Sequence, residues 1–158
     1  MISPELKKKI DQAHREKKQV VLVTGVFDIL HQEHTNFLQK AKQLGGILVV
    51  GIESDERVRK MKGEGRPVHT LPIRIKNLEA LQIADEVFGL PKDFSTPEHH
   101  NQLIAEVSPN FLAISSHSPH QVEKDQILRK HGGQLLIVHQ HNPNVSTSQI
   151  LRERENRS

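Results

Sequence analysis

Residues 20–34, reading VVLVTGVFDILHQEH, constrain the fold of this chain more than any other stretch. Val20, Val21, Leu22 and Val23 form a short β-rich run without alternation, bounded by Lys17, Lys18 and Gln19, which predicts a strand covered on both faces in a parallel sheet. Thr24 and Gly25 end it. Beyond them Leu30, Phe37, Leu38, Ala41 and Leu44 recur at helical spacing, and Gly45 and Gly46 supply a stop. A strand, a glycine turn and a helix in that order aim the unpaired N–H groups of the turn and of the first helical turn at the crevice beyond the strand's carboxyl end. Those donors and the helix dipole hold phosphate there. His31 and His34, spaced i and i+3 at the helix start, share one face.

The rest of the chain repeats this alternation. Residues 4–18 open with Ser3 as N-cap and Pro4 in the first helical position, and carry Leu6, Ile10 and Ala13 on one stripe of a charged segment, which predicts an amphipathic outer helix. Residues 47–52 are a second buried strand, followed by a short helix to Met61, with a right-handed crossover expected. Residues 62–70, KGEGRPVHT, have no periodicity and read as a loop. Helices are expected over residues 71–82, 96–107, 119–131 and 146–155, and strands over residues 85–89, 110–115 and 134–139. Residues 1–158 therefore read as one domain, a doubly wound, Rossmann-like α/β fold. It has a five-stranded parallel sheet with helices on both faces, and residues 1–18 form an outer N-terminal helix.

Composition excludes several classes. A chain of 158 residues can bury a real core. The absence of cysteine rules out disulfides and thiolate metal sites. With 22 Lys and Arg against 19 Asp and Glu, and no basic stripe interleaved with aromatics, nucleic acid is not implied. Nothing resembles a signal peptide or membrane span, so a soluble cytoplasmic protein is expected. His99, His100, His117, His120, His139 and His141 lack metal-ligand spacing and read as surface residues.

The segment GVFDILHQEH resembles the signature of the nucleotidylyltransferases with the HxGH motif, a superfamily that includes glycerol-3-phosphate cytidylyltransferase and the heptose-phosphate adenylyltransferases. Against the pattern GxFDxxHxGH, this chain supplies Gly25, Phe27, Asp28, His31 and His34, with Glu33 where the pattern has glycine. Lys62, Gly63, Arg66 and Pro67 are similar to the KGxxRPV segment of the heptose-phosphate enzymes, Arg74 to the arginine opening their next helix, and Val145, Ser146, Thr147 and Ser148 to the STT or STS motif. The resemblance implies attack by a substrate phosphate on the α-phosphate of ATP, or of CTP as second choice, with release of pyrophosphate. The acceptor would be a phosphorylated sugar or polyol, Mg2+ would accompany the triphosphate, and the protein would be a homodimer. It assigns catalysis to His31, His34 and Lys62. Nucleotide binding falls to Thr24, Gly25, Val26, Phe27, Arg74, Ser146, Thr147 and Ser148, and substrate contacts to Asp28, Asp55 and Arg66. Transfer at phosphorus asks for alignment and for donors around the reacting centre more than for a base, because the attacking phosphate is already ionised.

Plainer readings stand beside these. His34 shares a stripe with Phe37, Leu38 and Ala41, as a partly buried structural histidine would. Asp28 suits a turn that accepts backbone N–H bonds, Lys62 and Arg66 a solvated loop, and Ser146 to Ser148 a helix cap. Glu33 adds bulk and a carboxylate beside a polyanion. Ser115, Ser116 and His117 stand where the family has a glycine and an aspartate, and Gln140, His141 and Asn142 where an arginine often precedes the STT motif. A sensor or scaffold that keeps the pocket without turnover is thus a second reading. Adenylation of a carboxylate, as in aminoacyl-tRNA synthetases, is a third, opposed by the short chain and the lack of a tRNA-binding extension.

Overall fold

The computed structural model describes residues 1–140 and residue 151. A parallel five-stranded sheet runs β3-β2-β1-β4-β5, with β1 (Val20–Gly25) at its centre, β2 (Ile47–Ile52) and β4 (Phe111–Ser115) beside it, and β3 (Glu86–Gly89) and β5 (Gln134–His139) at the edges. Among the described residues α1 (Pro4–Arg15) precedes β1, and the strands are joined by α2 (Gln32–Lys42), α3 (Asp55–Lys62), α4 (Leu71–Ala80), α5 (Pro97–Val107) and α6 (Gln121–Lys130).

The unbroken apolar run of β1 follows from its central place, since every side chain from Val20 to Val23 is fully buried. Val20 and Leu22 face a layer built by Leu6 and Ile10 of α1, Leu103 and Val107 of α5 and Leu128 of α6. Val21 and Val23 face the opposite layer, with Leu38 and Ala41 of α2 and Leu78 of α4. Each such burial stabilises the fold by about 1.5–3 kcal/mol. The chain proceeds from β1 to β2 and β3 on one side, then crosses to β4 and β5 on the other, so the winding reverses between β1 and β4. Helices diverge at that reversal and open a crevice at the carboxyl ends of the strands.

Element boundaries differ from expectation where caps decide them. Helix α2 begins at Gln32 with His31 as its extended N-cap, at φ −143° and ψ 177°, so Leu30 precedes the helix instead of joining its stripe. Lys62 closes α3 instead of opening a loop, and Gly63 stops the helix at φ +96°, a value that suits only glycine well. Helix α6 starts at Gln121, after His120 in the left-handed region, and not at residue 119. The helix expected over residues 146–155 lies outside the described residues except for Leu151, which is helical. Among the described residues no helix is long and apolar enough to cross a membrane.

Candidate active site

The crevice encloses about 550 Å3, a size suited to small-molecule binding. Thr24, Gly25, Val26 and Phe27 form its floor. A Cβ on Gly25 would stand 2.8 Å from the Phe27 ring, so the turn requires glycine there. Phe27 itself holds φ at +51°, a strained conformation for a bulky residue that packing must maintain. Its ring is buried and meets the His34 ring at 5.4 Å.

The two motif histidines fix each other. Their rings stack at 3.8 Å, and the His31 backbone N–H donates to His34 Nδ1 at 3.3 Å. Neutral His34 therefore carries its proton on Nε2, the opposite edge of the ring. Burial, and secondarily the neighbouring His31, lower the His34 pKa to about 4; burial lowers that of His31 as well, against the pull of Glu33. Both rings are then neutral N–H donors at pH 7. His31 Nδ1 is buried with no hydrogen-bond partner.

Three expected ligand contacts are reassigned by the geometry. Arg74 is fully buried: its Nε donates to the carbonyl of His69, its Nη1 to those of Val26 and Glu53, and its Nη2 to Asp55 at 2.6 Å. Arg74 and Asp55 thus form a clamp beneath the crevice, tying the ends of β1 and β2 to the segment before α4, and neither lines the crevice. Asp28, 1% exposed, accepts from Val68 N at 2.8 Å, His69 N at 2.9 Å and Arg66 Nε at 3.3 Å. It anchors the 63–70 segment against the turn, because a buried carboxylate demands donors and these three are the nearest. Arg66 and the exposed Lys62 line the crevice on that side. Ser146, Thr147 and Ser148 lie outside the described residues.

Glu33 turns toward the sheet edge. Its Oε2 stands 2.6 Å from His139 Nε2, while His139 Nδ1 lies 3.1 Å from Lys40 Nζ. Lysine can only donate, so Nδ1 accepts and the ring proton sits on Nε2, which donates to Glu33. The carboxylate that replaces the motif glycine is thereby tied to β5.

The opposite wall was not foreseen. Glu53 from the end of β2, Arg57 of α3, Phe94, His100 of α5 and Lys124 of α6 converge on the crevice. Burial raises the Glu53 pKa against the opposing pull of Arg57, Lys124 and Arg74. Burial also lowers the Lys124 pKa, against Glu53, and lowers that of His100 to about 4, with Lys124 adding to the effect. His100 meets the buried Phe94 ring at 4.6 Å. The surface reading fails for His100 and for the half-buried His139, and His117 and His120 also line the crevice; their spacing along the chain carried no sign of this. Ser115, at one of the divergent positions, pairs its Oγ with His117 Nδ1 at 2.6 Å.

A glycine turn and a stacked histidine pair thus stand at the switch point of an open parallel sheet, the place where α/β folds of this kind bind ligands. A family model described as cytidylyltransferase-like matches residues 22–153, and the chain belongs to that family. It is 37% identical over 139 residues to the bifunctional protein HldE of Sodalis glossinidius, covering 87% of this chain and 28% of that protein. The HldE of Actinobacillus pleuropneumoniae serotype 5b is 33% identical over 150 residues, or 94% of this chain and 30% of that protein. The chain thus spans less than a third of these relatives' length. Among solved structures, a lipopolysaccharide core biosynthesis protein from Thermoplasma volcanium shares the fold with a TM-score of 0.64 at 24% identity, over 79% of this chain and 97% of that one. Pantothenate synthetase from Thermus thermophilus does so with a TM-score of 0.58 at 11% identity, over 93% of this chain and 68% of that one.

Proposed function

We propose that this chain transfers a nucleoside monophosphate from ATP, with CTP as the less favoured donor, to a phosphorylated sugar or polyol and releases pyrophosphate. The observation that carries this reading is the stacked, neutral His31–His34 pair beside the Phe27 turn, with His31 Nδ1 buried and unpartnered. The acceptor's phosphate oxygen attacks the α-phosphorus. The bond from that phosphorus to the β-bridging oxygen breaks, and pyrophosphate departs with the electron pair. His34 Nε2–H and His31 donate to oxygens that gain charge in this step, while backbone N–H groups of residues 25–27 cradle the phosphates. Lys62, exposed at the end of α3, reaches over the triphosphate. Among the described residues no group of three or more His, Asp or Glu side chains gathers to hold a metal. Mg2+ is proposed to arrive on the triphosphate's own oxygens and to neutralise them. The match to HldE proteins and the KGEGRPV segment support a sugar phosphate as acceptor.

Calorimetry with ATP and CTP, followed by a pyrophosphate-release assay over a panel of sugar and polyol phosphates, tests the reading. Turnover that survives His31→Ala and His34→Ala unchanged would overturn it. The second reading, a binding protein without turnover, draws on the Glu33 carboxylate held at the crevice by His139. Tight ATP binding without pyrophosphate release across the panel would favour it.

A further inference from the structure

Among the described residues three buried polar side-chain atoms lack any hydrogen-bond partner: His31 Nδ1, Glu53 Oε2 and Arg57 Nε. All three residues line one crevice. His31 belongs to the transfer machinery, which leaves Glu53 and Arg57 on the opposite wall without an account. Leaving a buried donor or acceptor unpaired is costly, and such groups persist where a ligand completes them. Lys124, on the same wall, donates from Nζ to Ser118 Oγ at 3.4 Å. Glu53 interacts with Arg57 and Lys124 through space, yet no ion pair within 4.0 Å joins any two of these residues. A carboxylate and two cations held apart present acceptors and donors side by side. A second anionic group on the ligand would meet Glu53, and a quaternary ammonium would meet Arg57 and Lys124. Hydroxyl groups satisfy both kinds at once, donating to the carboxylate and accepting from the cations. The ring of His100, set against Phe94, offers a flat surface for the C–H face of a sugar.

We propose that Glu53, Arg57 and Lys124 form the specificity subsite for the hydroxylated end of the acceptor, distal to its attacking phosphate. This rests on the transferase reading above and adds the residues that choose the acceptor. The perturbed Glu53 and Lys124 accord with it, since both sit in a partly desolvated recess where a hydroxyl contact discriminates strongly.

The test is calorimetry on the intact chain, with and without saturating α,β-methylene-ATP. Hexose 1-phosphates, their 2-deoxy analogues, glycerol 3-phosphate and phosphocholine serve as probes. At least one hexose 1-phosphate is expected to bind at least tenfold more tightly than its deoxy analogue and than phosphocholine. Glu53→Gln and Lys124→Met are each expected to weaken that binding by about 10- to 100-fold, with the ATP-analogue Kd changed less than twofold. Phosphocholine binding equal to the sugar phosphates, no sugar phosphate binding, or variants that leave sugar-phosphate affinity intact would each overturn the subsite. If the ATP analogue fails to bind while the hexose phosphate still does, the transferase reading falls and the hydroxyl subsite stands. Thermal unfolding of both variants separates a lost contact from a lost fold.

Discussion

The crevice has two walls built on different plans. On the α2 wall, Gly25, Phe27, His31 and His34 come from one short stretch of chain, and a backbone N–H fixes the His34 tautomer within a single helical turn. On the other, Glu53 follows β2 while Arg57, His100 and Lys124 come from α3, α5 and α6, and Glu53 Oε2 and Arg57 Nε have no partner. The first wall is satisfied locally apart from one buried ring nitrogen, His31 Nδ1. The second is brought together by the packing of α5 and α6 against the sheet and left incomplete. On the proposed function, the groups that transfer at phosphorus needs fit into one turn, whereas those that distinguish acceptors are assembled from side chains that the fold brings to the rim.

The largest effect should come from beneath both walls. Arg74→Ala removes a fully buried guanidinium and leaves Asp55 and three backbone carbonyls without their donor, and is expected to destabilise the fold by about 3–5 kcal/mol in denaturant titration. A variant of full stability that loses only nucleotide affinity would return Arg74 to the role of ligand. Next, His34→Ala should lower pyrophosphate release by about 10²- to 10³-fold, with the acceptor KM changed only a few-fold. A larger change in KM than in kcat would erase the division between the walls.

Acid should strike both walls together. The His34 pKa in the folded chain, about 4, lies below its ordinary 6.5, so the unfolded chain takes up the proton first as pH falls. The stability contributed by keeping this ring neutral is complete above pH 6.5 and is lost as the pH drops toward 4. The loss amounts to about 2 kcal/mol after allowance for partial exposure. His100 loses stability in the same direction over the same window. Denaturant midpoints at pH 7 and pH 4.5 should converge partly in His34→Gln and in His100→Gln; a slope that neither variant changes would place the acid-sensitive groups elsewhere. The smallest effect is expected at Glu33. Because its charge is already tied to His139, Glu33→Gly should tighten ATP binding only two- to fivefold, roughly 0.5–1 kcal/mol. A gain of a hundredfold by calorimetry would mean that the carboxylate faces the phosphates.

Much of this was legible in the chain itself. Val20 to Val23 announced a doubly covered strand because the central strand of a parallel sheet has no polar face, and the five-stranded alternation followed from glycine stops and helix caps. The spacing of His31 and His34 was readable because neighbours along a helix start are neighbours in space. Arg74 was recognisable as special, but not what its guanidinium would hold, since its carbonyl partners belong to residues 26, 53 and 69, which only folding brings together. Glu33 looked like an obstruction until His139, 106 residues away, proved to be its partner.

The sequence by itself determined the layered architecture, the glycine turn after β1 and the histidine pair, all of which arise from periodicity and from contacts a few residues apart. Only the tertiary structure decided where Glu33 points, that Asp28, Asp55 and Arg74 brace the site, and that Glu53, Arg57 and Lys124 line one crevice. Burial and the pairing of distant charges are properties of the packed chain, and neither is encoded in the spacing of residues along it.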